Sequence, residues 1–182
     1  MANVNEFSET PRPTANIIRY IGGATIYDAK PLSEDLDEIL NERALTVLFS
    51  MGSLAQSKNM PDRMKKDIID TFASYPNVTF IWKYESDDID VATYVNIHLM
   101  KWVPQTDLLA DKRLSLFVTH GGMNSMLEAI FHGKPMVVVP LFGDQQLNSK
   151  IAKKRRVGIL IERHNLNRKT LTEAFQNTLT NR

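Results

Sequence analysis

The residues best able to do chemistry fall in one stretch, 102–145. His120-Gly121-Gly122 is followed by Asn124 and Ser125, and Glu128 stands four residues after Asn124. A histidine and two short polar side chains around a glycine pair form a set of donors suited to an anion such as a diphosphate. Glycine lets the backbone come close, and imidazole donates a hydrogen bond in either its neutral or its cationic form. Glu128 lies on the same side of the expected helix, one turn further from the phosphate. Upstream, Trp102 offers a flat π-surface, and Gln105 offers an amide to a base or a ribose. Stacking a base on an aromatic ring is worth about 1–3 kcal/mol in nucleic-acid systems. Downstream come Asp144 and Gln145, and an earlier Ser/Gly turn carries Ser50, Gly52 and Ser53. Each of these also has a plainer reading. Trp102 could cover a core edge, His120 end a strand, Glu128 sit on a solvated helix face, and Asp144 cap a helix.

The elements that must position these residues are legible on either side. Leu114 to Thr119 is a short apolar run with β-branched and aromatic residues, which predicts a buried strand. Past the glycine pair the pattern turns helical, with Met123, Leu127, Ile130 and Phe131 expected on one buried face. Strand, glycine turn and helix make the junction where doubly wound α/β folds bind phosphorylated ligands, because the helix start presents free N–H groups and a positive dipole end.

Strands are expected also at 45–49, 78–82, 97–100, 136–139 and 157–161. Helices are expected at 61–74, near Asp107, at 145–154 and toward the end of the chain. Ser33 is expected to cap a helix carrying Leu36, Ile39 and Leu40, and Thr170 to cap the last helix in a box with Glu173. Tyr84 to Thr93 reads as an exposed acidic loop. Asp88-Ile89-Asp90 within it reads as a solvated run rather than a metal motif, and no metal site is expected. Strands and helices alternate about six times, and the strands are almost continuously apolar. The fold class is therefore α/β, a doubly wound parallel sheet with helices on both faces. Residues 1–21, polar and broken by Pro11 and Pro13, read as a linker or arm with a short strand possible at 17–21; residues 22–182 form the domain.

Trp102-x-x-Gln105, Asp107-Leu108-Leu109, His120-Gly121-Gly122, Asn124-Ser125, Glu128, Gly133-x-Pro135 and Pro140-x-Phe142-x-Asp144-Gln145 stand in one order over 102–145. This array closely resembles the signature of the UDP-glycosyltransferases, which include the animal glucuronosyltransferases and the plant secondary-product glycosyltransferases. The resemblance runs from about Ile17 to the end and corresponds to the Rossmann-like C-terminal half of a GT-B glycosyltransferase. It implies that Ser50, Gly52, Ser53, Trp102, Gln105, His120, Gly122, Asn124, Ser125, Glu128, Asp144 and Gln145 bind a UDP-sugar. By that resemblance Trp102 takes the base, Glu128 the ribose, the His120 turn the diphosphate, and Asp144 with Gln145 the transferred sugar. UDP-sugar is then a donor substrate, with no cofactor and no metal.

The same resemblance implies that the acceptor-binding N-terminal domain, with the family's catalytic histidine, lies outside this chain. Alone the chain is expected to bind donor but hardly to transfer. The parent would move glucuronate or glucose to a hydroxyl of a small lipophilic acceptor with inversion, in the endoplasmic reticulum lumen or membrane. Two other readings stay open: a stand-alone donor subunit needing an acceptor-binding partner chain, and a non-catalytic form that associates with full-length relatives in a homo- or hetero-oligomer.

Composition bounds these readings. At 182 residues the chain is about one domain, taking roughly 100–200 residues per domain. A formal net charge of +1 gives no reason to expect a nucleic-acid partner. Absence of cysteine excludes disulfides and a thiolate nucleophile. No apolar run approaches the roughly 18–20 residues that span a bilayer, so the chain itself is expected to be soluble. Asn77-Val78-Thr79 is a formal glycosylation triplet at the entrance to an expected strand.

Overall fold

The computed structural model describes residues 13, 15–24 and 26–179. Most of the expected N-terminal arm, Pro11 included, lies outside them; of the short strand considered at 17–21, only an isolated bridge at Tyr20 is present. Six strands form one sheet: Leu45–Ser50 (β1), Val78–Lys83 (β2), Ile97–Met100 (β3), Leu114–Thr119 (β4), Met136–Val138 (β5) and Gly158–Leu160 (β6). All pair in parallel, in the order β3-β2-β1-β4-β5-β6. The helices are Glu34–Asn41 (α1), Asp62–Ala73 (α2), Gln105–Ala110 (α3), Met123–Phe131 (α4), Gln145–Lys154 (α5) and Arg168–Leu179 (α6).

Apolar residues on both sides of each strand are needed because both faces of the sheet are covered. Val47 and Phe49 of β1 point into one core with Ile68 and Phe72 of α2 and Phe175 of α6. Leu48, between them, points into the other with Leu108 of α3, Met126 and Ala129 of α4 and Ala152 of α5. The first core is built on aromatic contacts, among them Phe72 stacked on Phe80 with centroids 4.1 Å apart. From β1 the chain winds outward to β2 and β3, then returns to lay β4 on the other side of β1. At that reversal the connections leave a crevice beyond the C-terminal ends of β1 and β4.

Four local expectations are corrected. On α4 the buried residues are Met126, Leu127 and Ala129, while Phe131 is 67% exposed and Met123 turns toward the crevice. A short helix with apolar residues at nine successive positions less three supports more than one face, and contact with the second core selects the one around Met126. The last helix starts at Arg168, so Thr170 lies inside it. The capping box is formed instead by Asn167, whose Oδ1 accepts from Thr170 N–H at 3.1 Å while Thr170 Oγ1 accepts from Asn167 N–H at 3.2 Å. Ser33 stands at the start of α1 but its hydroxyl makes no cap bond. The acidic segment after β2 is a loop largely exposed from Asp87 on, but its start is buried: Tyr84 is 1% exposed and donates to Asp88 at 2.9 Å, and Lys65 reaches the same carboxylate at 3.3 Å. Hydrogen bonds from Ser86 and Tyr84 hold the Asp88 carboxyl down at about 2. No helix among the described residues is long and apolar enough to cross a membrane.

Candidate functional site

The crevice at the reversal is a cleft of about 600 Å3, and all twelve residues singled out from the sequence line it. The ends of β1 and β4 supply its floor. β1 ends at Ser50, 1% exposed, whose Oγ accepts from Gly52 N–H at 3.3 Å. β4 ends at Thr119, and the chain turns through Gly121 at φ 83°. A Cβ on Gly121 would lie 2.7 Å from Val138 Cγ1, so this turn is open only to glycine on two counts. Gly122 precedes α4 with no side chain capping the helix start, which leaves its first N–H groups facing the cleft beside Asn124 and Ser125.

His120 lies between the two turns. A Cβ on Gly52 would come within 2.7 Å of its Cε1, and one on Gly122 within 2.5 Å of its Nε2. Burial pushes the imidazole below the usual histidine range, and the charge of Asp144 acts weakly the other way. Burial thus favours the neutral form of His120, whose ring is held in a glycine slot.

At one end, Gln105 Nε2 donates to Glu128 Oε2 at 2.7 Å and to Ser125 Oγ at 3.1 Å, so the start of α3 is joined to α4. Trp102 is 70% exposed, which removes the core-edge reading and leaves its ring free at the cleft mouth. Lys83, the last residue of β2, supports this end and was not foreseen. Its Nζ sits 5.7 Å from the Trp102 ring centroid and donates to Glu85 Oε1 at 2.7 Å and to Gly52 O at 3.1 Å. Its only signal in the sequence is a charge ending an otherwise apolar strand, at the edge of the sheet that faces ligand.

At the other end, Asp144 precedes α5 but its side chain does not cap it. Its Oδ2 accepts from Asn148 Nδ2 at 2.8 Å, and the same amide donates to Gly121 O at 3.0 Å. Asn148, 2% exposed, thus ties the glycine turn to Asp144; one turn after Asp144 on α5, it could have been suspected from spacing. Gln145 is 4% exposed, and its Oε1 accepts from Leu141 N–H at 2.8 Å and Phe142 N–H at 3.0 Å. Its carbonyl shapes the loop, and its amino group remains for a ligand. Among the described residues no group of three His, Cys, Asp or Glu is arranged to hold a metal.

A parallel sheet in this strand order, with a glycine turn entering an uncapped helix at its reversal point, defines a Rossmann-like α/β domain. Comparison with known proteins narrows the class. The family model "UDP-glucoronosyl and UDP-glucosyl transferase" matches residues 4–182. UDP-glucuronosyltransferase 3A2 from Homo sapiens is 37% identical over 164 residues, covering 88% of this chain and 31% of its own length. UDP-glucuronosyltransferase 2C1 from Oryctolagus cuniculus is 33% identical over 175 residues, with 95% and 34% covered. Among solved structures, the glycotransferase of kitacinnamycin superposes with a TM-score of 0.68 at 25% identity, over 76% of this chain and 36% of its own. Os79 from O. sativa, in complex with UDP, gives 0.68 at 22% identity over 79% and 34%.

The chain belongs to the UDP-glucuronosyl and UDP-glucosyl transferase family. Its fold matches about a third of the length of solved GT-B glycosyltransferase chains, and its relatives are hexosyltransferases. It spans about a third of the length of the curated relatives it matches.

Proposed function

We propose that residues 22–182 are the donor-binding half of a UDP-glycosyltransferase, and that the cleft holds a UDP-sugar without a metal. The observation that carries this reading is the convergence at the β1/β4 reversal of the Ser50–Gly52 turn, the His120–Gly122 turn and the uncapped start of α4, with the Trp102 ring open at one end. In this reading uracil stacks on Trp102, Glu128 accepts from the ribose hydroxyls, and the diphosphate lies on the glycine turn, His120, Asn124 and Ser125. Asp144 and Gln145 hold hydroxyls of the sugar.

In the parent enzyme an acceptor hydroxyl, deprotonated by a base outside this chain, attacks the anomeric carbon. The bond from that carbon to the diphosphate oxygen breaks with inversion, and UDP leaves. This half lowers the barrier by donating to the leaving diphosphate as its charge grows, through donors already fixed in place. The same reading assigns the parent to the endoplasmic reticulum and its transfer to small lipophilic acceptors.

Calorimetric titration with UDP in the presence of a chelator tests it. Saturable binding of similar strength with chelator and with added magnesium is expected. Failure to bind, or a strict need for a divalent ion, contradicts it.

A further inference from the structure

The end of the sheet opposite the cleft carries charge and apolar surface that the donor site does not use. We propose that this end, where α4, α5 and α6 finish, is a contact surface for an anionic lipid membrane.

Charge is spread unevenly along the chain. Residues 145–161 hold five of its 22 Lys and Arg and none of its 21 Asp and Glu, so this segment is strongly basic in a chain of net charge +1. The five, Lys150, Lys153, Lys154, Arg155 and Arg156, are all exposed. A helix dipole favours cations in the last turn, where Lys153 and Lys154 stand, but it does not require Arg156 beyond it. Arg156 has φ 58°, the left-handed value that favours glycine, and α4 ends in the same way at Gly133, φ 64°. One helix thus takes the unstrained residue at this position, and its neighbour holds a cation there.

These cations border apolar surface. Lys153 and Arg156 line a groove of about 640 Å3 whose half-buried side chains include Ile130, Pro135, Val157 and Ile159. Phe131, next to Ile130 at the end of α4, is 67% exposed. Aromatic and aliphatic groups bordered by Lys and Arg match the interface of a bilayer. The apolar groups enter at the acyl boundary, and the cations meet the anionic headgroups. The long stems of Lys and Arg follow the apolar groups while their charges stay at headgroup level. A nucleic acid would use the cations but leave the aliphatic groove idle. The groove lies where β5 and β6 begin, at the opposite end of the strands from the cleft. A chain bound here keeps its donor site clear of the membrane.

Cosedimentation of the chain with lipid vesicles tests this. Vesicles of phosphatidylcholine alone are compared with vesicles of equal parts phosphatidylcholine and phosphatidylserine. Binding to the mixed vesicles, and little to the neutral ones, is expected, weakening as salt is raised. Each cation at an anionic leaflet is worth about fivefold in partitioning, from about 1 kcal/mol per residue. Lys153→Gln combined with Lys154→Gln should therefore reduce binding about thirtyfold. Arg156→Gly should reduce it about fivefold while thermal melts show a fold no less stable, since glycine suits that φ. Loss of fold therefore cannot mimic loss of contact. Phe131→Ser should lower the binding that survives high salt. No binding to the mixed vesicles, equal binding to both kinds, or binding unchanged in both charge variants overturns the inference. So does binding of a single-stranded oligonucleotide in preference to the mixed vesicles. UDP enters none of these measurements, so the donor reading stands or falls separately.

Discussion

The Nε2 of His120 lies where a Cβ on Gly122 would be only 2.5 Å away. Gly122 precedes α4 at φ −62°, a backbone any residue adopts, so glycine is needed there for the imidazole rather than for the turn. Gly122→Ala should therefore displace His120 and weaken UDP binding. The loss should vanish when Gly122→Ala is made in a His120→Ala background. A double-mutant cycle on UDP affinity checks this, with a coupling of about 0.5–3 kcal/mol expected for residues in contact. Additive losses would mean that the two do not share a slot.

Burial of His120 also sets a pH dependence. Its folded pKa lies below the unfolded value of about 6.5, so on acidification the unfolded chain takes up the proton first. The stability contribution is complete above pH of about 6.5 and declines as pH falls from there toward the folded pKa. His120→Gln should flatten that part of the acid limb in thermal melts. UDP should reverse the shift, since a diphosphate favours the imidazolium. Calorimetry near pH 6 in buffers of different ionisation enthalpy should then show proton uptake on binding, and no uptake in His120→Gln.

Most of the cleft was legible because its residues are polar in places where packing asks for nothing polar. His120, Asn124 and Asp144 stand at a strand end and at helix starts, with Glu128 one turn into α4, and the twelve line one cleft. The sheet was legible because strands buried on both faces must be apolar throughout. What escaped depends on partners remote in sequence. Lys83 closes an apolar strand, and only the fold brings it under Trp102. The buried face of α4 was set by the second core, and nothing in a run as apolar as MNSMLEAIF excludes Phe131 from it. Asp88 and Glu85 look like solvated acid until Lys65, Tyr84 and Lys83 are placed beside them.

In the proposed orientation Glu128 and Asp144 meet different ends of the donor. Glu128→Ala should weaken UDP and UDP-sugars alike, by about 0.5–1.5 kcal/mol or more where Gln105 is left without its acceptor. Asp144→Asn should leave UDP nearly unchanged and alter only the increment due to the sugar. Equal losses for UDP and UDP-glucose in Asp144→Asn would remove Asp144 from the sugar.

Gln145 holds the loop that precedes α5. Gln145→Ala orphans the N–H groups of Leu141 and Phe142 and should cost about 1–3 kcal/mol of stability in denaturant unfolding. Gln145→Glu keeps an oxygen for both and should retain stability while losing the amide donors that the proposed function assigns to the sugar. A Gln145→Ala chain as stable as the parent would show that the loop does not depend on this bond.

The chain's two tryptophans allow the most direct test of the donor's placement. Trp82 is 0% exposed within the core, whereas Trp102 is 70% exposed at the cleft mouth, so a stacked uracil reaches only Trp102. Titration with UDP followed by tryptophan emission should show saturable quenching in the parent. In Trp102→Phe the quenching should disappear while calorimetry still detects binding, weakened by less than the about 1–3 kcal/mol expected for Trp102→Ala. Binding with unchanged emission in the parent, or quenching that survives Trp102→Phe, would contradict the stacking of the base on Trp102 and with it the orientation of the donor in the cleft.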